Sequence, residues 1–487
     1  MLKLLSNMSF YVPELVCILT MCTLLFMEAF YGDKSKGRTF VYITAMIGLA
    51  IAFAVLACSV GNKPQPIFYN ALIIDSFSTV MKMIMVLGTL GVFYLCSQST
   101  DIYEDLKTEF LVMTIGVLIG GMLLSSANNL LTVYLGIETL SILSYVLAAF
   151  KKRDGRSSEA GLKYVLYGGI TAGVMLYGIS HIYGILGTIQ FSEIPGLIKA
   201  LDSQQTLLLL PAFVLFFVGI GYKIACVPFH MWSPDVYEGS PVPVTTFFSI
   251  VPKLAGMAVL IRVTLVFFNH DGVLQTAWVG LMQVLAALTM FVGNITAINQ
   301  KSVKRMLAFS SIAHAGFMMC GILVLNATGI RAILFYGATY LFMTLLAFYV
   351  TSFIIDKYGT DDHERFTGLI SKHPLVAISM SVALFSLAGL PPFSGFIAKF
   401  NILSALIESE KYSLALIAVL NSVISLYYYL RLVKTMCVNE ADSSEPIEGL
   451  GFVNQAVIVG LGIPVILLGV FWEKLMLVAD GAKIFIQ

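Results

Sequence analysis

The chain contains 487 residues, of which 58% are hydrophobic and only 12% are charged, and its formal net charge is +1. A soluble domain carries about 25% charged residues, so this chain has half of the supply that a water-facing surface normally uses. The composition excludes a soluble enzyme and a disordered protein. It also excludes a nucleic-acid binder, which would need a basic stripe. We predict a polytopic membrane protein whose immediate partner is the lipid bilayer.

Apolar runs long enough to cross a bilayer recur along the whole chain. A spanning helix needs about 20 such residues, whereas a β-barrel shows alternating segments of about ten residues. The runs are long and lack strand-like alternation, so we predict an all-α polytopic membrane protein with about 14 transmembrane helices. The predicted spans cover residues 10–30, 39–59, 71–96, 109–126, 128–150, 158–187, 206–238, 240–268, 274–297, 303–325, 329–355, 375–407, 411–438 and 452–479.

The basic residues in the loops predict the orientation of these spans. With the N-terminus outside, sixteen Lys and Arg residues fall in cytoplasmic loops and seven fall on the outer side, as the positive-inside rule requires. Both termini are therefore predicted to face outward. The other six of the 29 basic residues lie inside predicted spans, at Lys82, Lys163, Lys223, Lys253, Arg262 and Lys399.

These intramembrane charges are the most informative residues of the chain. A charge at mid-bilayer costs roughly 2.5–3.5 kcal/mol on insertion scales, and such residues usually line an ion or proton path. Arg262 is interpreted as structural, because it lies near the outer half of its span and could extend its head group to water. Lys82 follows Asp75 by seven residues on one helical face, so a buried ion pair between them and a functional role both stay open.

One carboxylate also lies in the middle of a span. Glu138 shares a helical face of the span 128–150 with three polar side chains, those of Tyr134, Ser141 and Tyr145. Two similar stacks, four residues apart, occur elsewhere in the chain: Glu159 with Lys163, and Ser310 with His314.

Each of these residues also has a structural interpretation. Glu138 could simply neutralise Lys223, His230 and His314 could be hydrogen-bonded core histidines, and Lys163 could extend to the cytoplasmic surface. The lysines in the middle of the other spans have no membrane edge within reach, which favours a functional role for them.

Two spans are interrupted by proline. Proline removes a backbone donor and clashes with the preceding turn, and an interrupted helix is tolerated at mid-membrane only where it is buried in protein or lines a wet cavity. The seventh span contains Lys223, Pro228, His230 and Pro234, and the twelfth contains Pro391, Pro392, Gly395 and Lys399. A lysine therefore accompanies each predicted break.

The positions of the two breaks predict the domain organisation. The seventh and twelfth helices are five spans apart and cross the membrane in opposite senses, which favours two inverted five-helix repeats with broken helices 7 and 12. The predicted units are an N-terminal three-helix segment at 1–108, a first repeat at 109–268, a second repeat at 274–438, and a C-terminal helix and tail at 452–487.

The chemistry of the buried set favours protons over metal ions. A protonated lysine has donors but no acceptor and cannot coordinate Na⁺, and hydrated-metal transport would favour carboxylates and carbonyls. The seven cysteines form no C-x-x-C pair, and the other histidines are scattered. The sequence therefore predicts no metal site and no bound cofactor in this chain.

Four motifs resemble a known family, the antiporter-like membrane subunits of respiratory complex I, the proton-pumping NADH:quinone oxidoreductase. They are YLGIETLSILSYVLAAF (134–150), KIACVPFHMWSPDVYEGSPVPVTTFFSIVPKLAG (223–256), QKSVKRMLAFSSIAHAGF (300–317) and LAGLPPFSGFIAKF (387–400). Within that family the chain looks like the subunit N group, the bacterial counterparts of the mitochondrial ND-two subunit. The resemblance extends from about the third span to the thirteenth, and its fourteen helices with two breaks agree with the spans counted above.

The resemblance implies a proton-transfer role for individual residues. Glu138 and Lys223 match the pair of the first half-channel, and Lys163 matches the lysine near its cytoplasmic intake. Lys253 matches the central lysine, His230 and His314 match histidines on the hydrophilic axis, and Lys399 matches the terminal group of the second half-channel. The chain departs from many relatives at Phe309, where a tyrosine hydroxyl is expected, so Ser310 or Ser311 is predicted to supply the missing donor.

The resemblance also implies partners and location. The chain would act as a subunit of a proton-translocating enzyme, beside a sister antiporter-like subunit and other membrane subunits. NADH, FMN, iron–sulfur clusters and quinone would be used in other subunits. The predicted location is a bacterial cell inner membrane, with both termini periplasmic. The alternatives are an Mrp-type cation/proton antiporter subunit, a membrane subunit of a hydrogenase complex, and a scaffold that no longer pumps.

Overall fold

The computed structural model describes residues 7–31, 35–151, 153–269, 272–440 and 451–485. Lys3, Lys34 and Lys152, which were counted in the loop charges, lie outside these ranges, as does His270. The ends of the predicted N-terminal and C-terminal units lie outside them as well.

The described chain is mostly helical. Its α-helices are α1 (Val12–Tyr31), α2 (Ser35–Ser59), α3 (Ser76–Gln98), α4 (Lys107–Ser126), α5 (Leu130–Ala148), α6 (Gly155–Leu186), α7 (Ile194–Ala200), α8 (Ser203–Ile224), α9 (Trp232–Gly239), α10 (Val242–Phe268), α11 (Val273–Ile298), α12 (Val303–Ile322), α13 (Ala327–Tyr358), α14 (Leu369–Lys372), α15 (Pro374–Ala388), α16 (Ser394–Glu408), α17 (Tyr412–Cys437), α18 (Phe452–Val470) and α19 (Glu473–Gly481). A two-stranded antiparallel hairpin, β1 (Gln65–Ile67) with β2 (Leu72–Ile74), precedes α3.

Among the described residues, 13 helices are long and apolar enough to cross a membrane. The remaining predicted span is the twelfth, which the structure divides into the shorter helices α15 and α16. The prediction of an all-α membrane protein with about 14 spans is therefore confirmed. The inverted relation of the two repeats and the four domain boundaries stay predictions.

Both predicted breaks occur. The seventh span is continuous as α8 to Ile224 and resumes as α9 at Trp232, and the twelfth stops at Ala388 and resumes at Ser394. Pro234, which was expected to contribute to the first break, instead lies in the first turn of α9, where a missing N–H costs no helical hydrogen bond.

The third span begins later than predicted. Residues 72–74 form β2, and Asp75 then caps α3, accepting a hydrogen bond from the Ser78 backbone N–H at 2.8 Å while Ser78 bonds back to the Asp75 backbone. This reciprocal capping box fixes the start of the helix at Ser76 instead of residue 71.

Helix α10 forms the centre of the molecule. Every residue from Val242 to Phe268 is buried, as expected for a helix that is apolar on all sides. It packs against α3, α4, α8, α12 and α13, and so touches helices from both predicted repeats. It carries Lys253 at its middle and Arg262 near its end.

The loops gather on two opposite faces of the helix bundle. The connecting segments at 99–106, 149–151, 153–154, 299–302 and 359–373 lie on one side, which we call the basic face. Contacts across this face include a salt bridge from Lys151 to Asp101, and a hydrogen bond of 2.5 Å from the Ser302 hydroxyl to Asp361. The hairpin and the C-terminal tail meet on the opposite face, where the Phe485 backbone N–H donates to Asp75 at 3.1 Å.

The structure excludes one of the alternatives left open for Lys82, the ion pair with Asp75, and corrects the exposure expected of Arg262. Lys82 pairs with Glu14 of α1 at 2.6 Å, not with Asp75, and Arg262 is only 1% exposed instead of reaching water. Arg262 donates two hydrogen bonds of 3.0 Å to Asp75 and a third to the Ser125 carbonyl. The sequence could not indicate this exchange of partners, because Glu14 and Arg262 lie on helices distant in sequence from α3.

The second break depends on a glycine. A Cβ atom added at Gly395 would lie 1.8 Å from the Ser386 carbonyl oxygen and 3.0 Å from the Met343 sulfur. We therefore expect Gly395→Ala to force α15 and α16 apart and to destabilise the chain by about 1–3 kcal/mol, the usual cost of overpacking. The measurement is the temperature at which solubilised protein aggregates. Gly460→Ala, where a Cβ meets nothing within 4 Å, is the control, and equal stability of both variants would contradict the expectation.

Candidate functional site

Lys223 lies at the C-terminal end of α8, next to the first break, and its side chain is completely buried. Its Nζ donates to the Ser141 hydroxyl of α5 at 3.1 Å and to the Tyr164 hydroxyl of α6 at 3.3 Å. The predicted polar face of α5 therefore does point at Lys223. The contact is made by a hydroxyl, one turn along α5 from Glu138.

Glu138 itself is not paired with Lys223 in this structure. No carboxylate of the described residues lies within 4.0 Å of the Lys223 Nζ, and the Glu138 Oε1 is buried without a hydrogen-bond partner. An unpaired buried carboxylate oxygen is costly, so its position one turn from the lysine contact is consistent with a group that exchanges partners.

Lys253 is 1% exposed at the middle of α10. It donates to the Ser311 hydroxyl of α12, and its Nζ lies 5.5 Å from the centre of the Tyr237 ring. Pro252 lies immediately before it inside the helix, so the carbonyl one turn earlier has lost its backbone donor.

A glycine brings α8 against α10 at the level of Lys253. A Cβ atom added at Gly256 would lie 2.6 Å from Ile224 Cγ2 and 3.7 Å from the Cβ of Lys223. Because Gly256 is one turn from Lys253, the close approach of the two backbones places the first two lysines on neighbouring turns of touching helices.

The next polar side chains lie along one face of α12. The His314 Nδ1 lies 2.6 Å from the Tyr336 hydroxyl, and its Nε2 lies 3.3 Å from the Tyr429 hydroxyl. Tyr429 also contacts the Ser310 hydroxyl at 2.5 Å. Although Phe309 lacks a hydroxyl, the surrounding helices α13 and α17 supply tyrosine hydroxyls to this region.

Lys399 is 4% exposed in α16, beyond the second break. Its Nζ donates to the Ala388 carbonyl at 2.8 Å and to the Ser422 hydroxyl at 3.1 Å, and it lies 4.8 Å from the centre of the Phe317 ring of α12. Because Ala388 ends α15, the lysine neutralises a helix C-terminus whose carbonyls lack helical donors. A cavity of about 250 Å³ between α16 and α17 borders this lysine.

The structure thus connects the three central lysines through consecutive helix contacts. Lys223 on α8 packs against α10, which carries Lys253, and Lys253 bonds to α12. The same α12 presents His314 and then Phe317, which contacts Lys399. Among the described residues, no carboxylate lies within 4.0 Å of any of these three lysines.

Two predicted residues lie outside this connection. Lys163 is 36% exposed near the basic face, where it pairs with Glu159 at 2.6 Å, as its spacing predicted, and also with Asp235 at 2.7 Å. His230 lies in the segment between α8 and α9, half-buried, and its Nδ1 has no hydrogen-bond partner in the described chain.

Comparison with known proteins assigns the fold to a family. The family model for the transmembrane region of NADH:quinone oxidoreductase and Mrp antiporters matches residues 127–425. The chain is 40% identical to NADH-quinone oxidoreductase subunit N 2 of Sorangium cellulosum, covering 96% of this chain and 95% of that protein. The chain belongs to this family of NADH:quinone oxidoreductase and Mrp antiporter membrane proteins. It is also 36% identical to the subunit N of Heliobacterium modesticaldum, covering 98% of this chain and 99% of the relative.

Two solved structures with the antiporter-like fold are similar to this chain. A chain of respiratory complex I from Thermus thermophilus, solved with bound aureothin, superposes with a TM-score of 0.80 at 30% identity, covering 97% of this chain and 100% of that one. A chain of the Mrp complex from Dietzia superposes with a TM-score of 0.82 at 20% identity, covering 97% of this chain and 96% of that one. At this identity the similarity shows a shared fold alone.

Sequence reasoning missed several residues that complete this antiporter-like site. Tyr164, Tyr336 and Tyr429 contact the buried lysine or histidine, but aromatic residues are frequent throughout membrane spans, so the sequence does not distinguish these three. Asp235 and Arg305 lie inside the motifs that carried the resemblance, yet nothing in their spacing indicated a mutual contact. Among the described residues, no group of three His, Cys, Asp or Glu side chains could hold a metal ion.

Proposed function

We propose that the chain is a proton-translocating membrane subunit of an NADH:quinone oxidoreductase, of the subunit N type. It couples redox energy from neighbouring subunits to proton transfer along buried Lys, Glu and His residues. The observation that carries the proposal is the continuous placement of Lys223, Lys253 and Lys399 on touching helices, each bonded to neutral oxygen acceptors and none to a carboxylate.

The acceptor set suits a lysine that gains and loses a proton. A lysine fixed in a buried ion pair is held in its charged form, whereas one bonded to hydroxyl and carbonyl oxygens pays the full desolvation of its charge and gives up a proton more readily. Serine and tyrosine hydroxyls both donate and accept, so they can bond to either protonation state of the lysine. Lys223 with Ser141 and Tyr164, and Lys253 with Ser311, have this chemistry.

Glu138 is proposed to control the first step. When its carboxylate approaches Lys223, the charged lysine is favoured, and when it moves away the lysine releases its proton towards Lys253. Its unsatisfied Oε1 supports this role, because that oxygen leaves an acceptor available to the lysine. The proton then passes by way of His314 and its tyrosine partners to Lys399, which exchanges with the outer side.

The energy for this movement is proposed to come from other subunits. The curated relatives are named as subunits of NADH-quinone oxidoreductase, so we propose other membrane subunits as partners, including a sister antiporter-like subunit. NADH, FMN, iron–sulfur clusters and quinone would be bound there and not by this chain. We further propose a bacterial inner membrane location with the basic face cytoplasmic, which places both termini in the periplasm.

Purification of the chain in its native membrane tests the function. A tagged copy is expected to purify together with NADH:quinone oxidoreductase activity and iron, and vesicles with the complex should acidify when NADH is added. An Mrp-type antiporter subunit would instead purify without iron and exchange Na⁺ for protons in vesicles that receive no NADH. A hydrogenase subunit would bring nickel with it. Either of these two results would contradict the proposal.

A further inference from the structure

A cluster of five charged residues lies at the basic face, outside the buried line of lysines. Asp235 of α9 is at its centre: its Oδ2 accepts from the Lys163 Nζ at 2.7 Å, and its Oδ1 accepts from the Arg305 Nη1 at 2.7 Å. Each basic residue also has a second carboxylate, Glu159 for Lys163 at 2.6 Å and Glu238 for Arg305 at 2.7 Å. We call these five residues the Asp235 cluster.

Asp235 can lose either of its two basic partners without leaving that partner unpaired. Lys163 would still pair with Glu159, and Arg305 would still pair with Glu238. Four of the five side chains are between 29% and 36% exposed, and Glu159 is 61% exposed. A polar cleft of about 200 Å³ beside them is lined by Glu159, Asp235 and Arg305. Partly solvated ion pairs contribute little net stability, so exchange of partners does not require burying an unpaired charge.

The Lys163 side of the cluster, which we call its first arm, is connected to Lys223. Tyr164 follows Lys163 on α6, accepts the hydrogen bond from Lys223 at 3.3 Å, and stacks on Trp232 with ring centres 4.4 Å apart. Trp232 lies one turn before Asp235 on α9. The position of α6 against α9, which the Lys163–Asp235 pair helps to fix, therefore sets the position of a hydroxyl that contacts Lys223.

The Arg305 side of the cluster, its second arm, is connected to Lys253. Arg305 lies in the first turn of α12, and its neighbour Lys304 donates to the Glu238 carbonyl at 2.8 Å and the Ser240 carbonyl at 3.1 Å, at the C-terminal end of α9. Less than two turns further along, α12 presents Ser311 to Lys253. A shift of α12 against α9 therefore moves an acceptor of the central lysine.

We propose that Asp235 is a positioning residue for proton transfer, shared between Lys163 and Arg305 so that it ties the acceptors of Lys223 and Lys253 to one another. A change of its partner moves α6 and α12 relative to α9 and alters both acceptor sites together. This inference rests on the proposed function, and it adds a link between the two predicted repeats at the basic face.

The test compares Asp235→Asn with Asp235→Glu in the complete, membrane-embedded complex. Asp235→Asn should lower NADH-driven proton translocation at least about fivefold, the lower end of the usual range for coupling between two sites. NADH oxidation with a water-soluble artificial acceptor should be unchanged. Asp235→Glu keeps the carboxylate and should restore most of the pumping. Asp480→Asn, which removes the carboxylate of an exposed ion pair with Arg331, is the matched control and should pump normally.

Coupling between the arms gives a readout that a merely structural role would not produce. Lys163→Gln and Arg305→Gln should each lower pumping, and adding Asp235→Asn to either should cause little further loss, because residues of one network are not additive. Normal pumping by Asp235→Asn, or fully additive losses, would overturn the inference. If Asp235→Asn leaves no assembled complex, the two single variants decide, and normal pumping by both would overturn it equally.

A separate variant distinguishes failure of this inference from failure of the proposed function. Lys253→Met removes a residue of the buried line and should abolish pumping. Loss of pumping in Lys253→Met with normal pumping in Asp235→Asn would reject the role of Asp235 and leave the proposed function standing. Normal pumping in Lys253→Met would reject the proposed function itself.

Discussion

Replacing Lys223 by alanine should lower NADH-driven proton translocation at least about tenfold, while the complex still assembles. A positioned proton-transfer group contributes roughly 10²–10⁴-fold to the step that it serves, and water can replace part of that contribution. Alanine leaves a space beside Ser141 and Tyr164, whose hydroxyls would then lack the ammonium donor. The measurement is the rate of acidification of vesicles on addition of NADH, with assembly checked on a native gel.

An arginine at the same position separates charge from proton release. Lys223→Arg keeps the positive charge and the donors, but a guanidinium does not lose its proton in a protein. We expect Lys223→Arg to pump as poorly as Lys223→Ala. Lys199→Ala, a substitution of an exposed lysine, should pump normally. Recovery of pumping with arginine would mean that Lys223 serves only as a fixed charge. Normal pumping with alanine would instead favour the interpretation of the chain as a scaffold that no longer pumps.

The sequence identifies candidate site residues most clearly where a single residue violates a strong rule. A lysine in the middle of an apolar span is costly enough to mark Lys223, Lys253 and Lys399 without knowledge of their neighbours. Prolines similarly accompany both helix breaks, because a missing donor acts within the same helix. Pro252, which lies inside the continuous helix α10, shows that a proline alone does not predict a break. These are local properties of the chain.

The partners of these residues could not be predicted, because they depend on how distant helices pack. Asp75 is the acidic residue nearest to Lys82 in the sequence, yet Lys82 pairs with Glu14. Asp75 pairs with Arg262 instead. Asp235 illustrates the same limit, because its contacts with Lys163 and Arg305 join residues separated by about 70 positions. Periodicity reports the face on which a side chain lies and carries no information on which helix covers that face.

Replacing Arg262 by methionine should be the most destabilising single change outside the proposed proton path. The Arg262–Asp75 pair is almost completely buried, and removing one partner of such a pair costs about 3–5 kcal/mol, since the other charge stays buried. Among the described residues, the Asp75 carboxylate would then keep hydrogen bonds from the backbone N–H groups of Ser78 and Phe485 alone. We expect a clear fall in the temperature at which half of the solubilised complex is lost. Arg331→Met, which breaks an exposed pair with Asp480, should cost about 0–1 kcal/mol.

A double substitution tests whether the cost comes from the stranded carboxylate. Arg262→Met combined with Asp75→Asn removes both charges, so it should be more stable than Arg262→Met alone, because an unpaired buried charge costs more than a neutral amide. A double variant no more stable than Arg262→Met would instead assign the loss to the packing of α3, α4 and α10 around the guanidinium. Pumping per assembled complex should stay near normal in both variants, since arginine cannot release a proton. In that case Arg262 differs from the buried lysines in kind: its charge holds helices together, whereas we propose that theirs serve proton transfer.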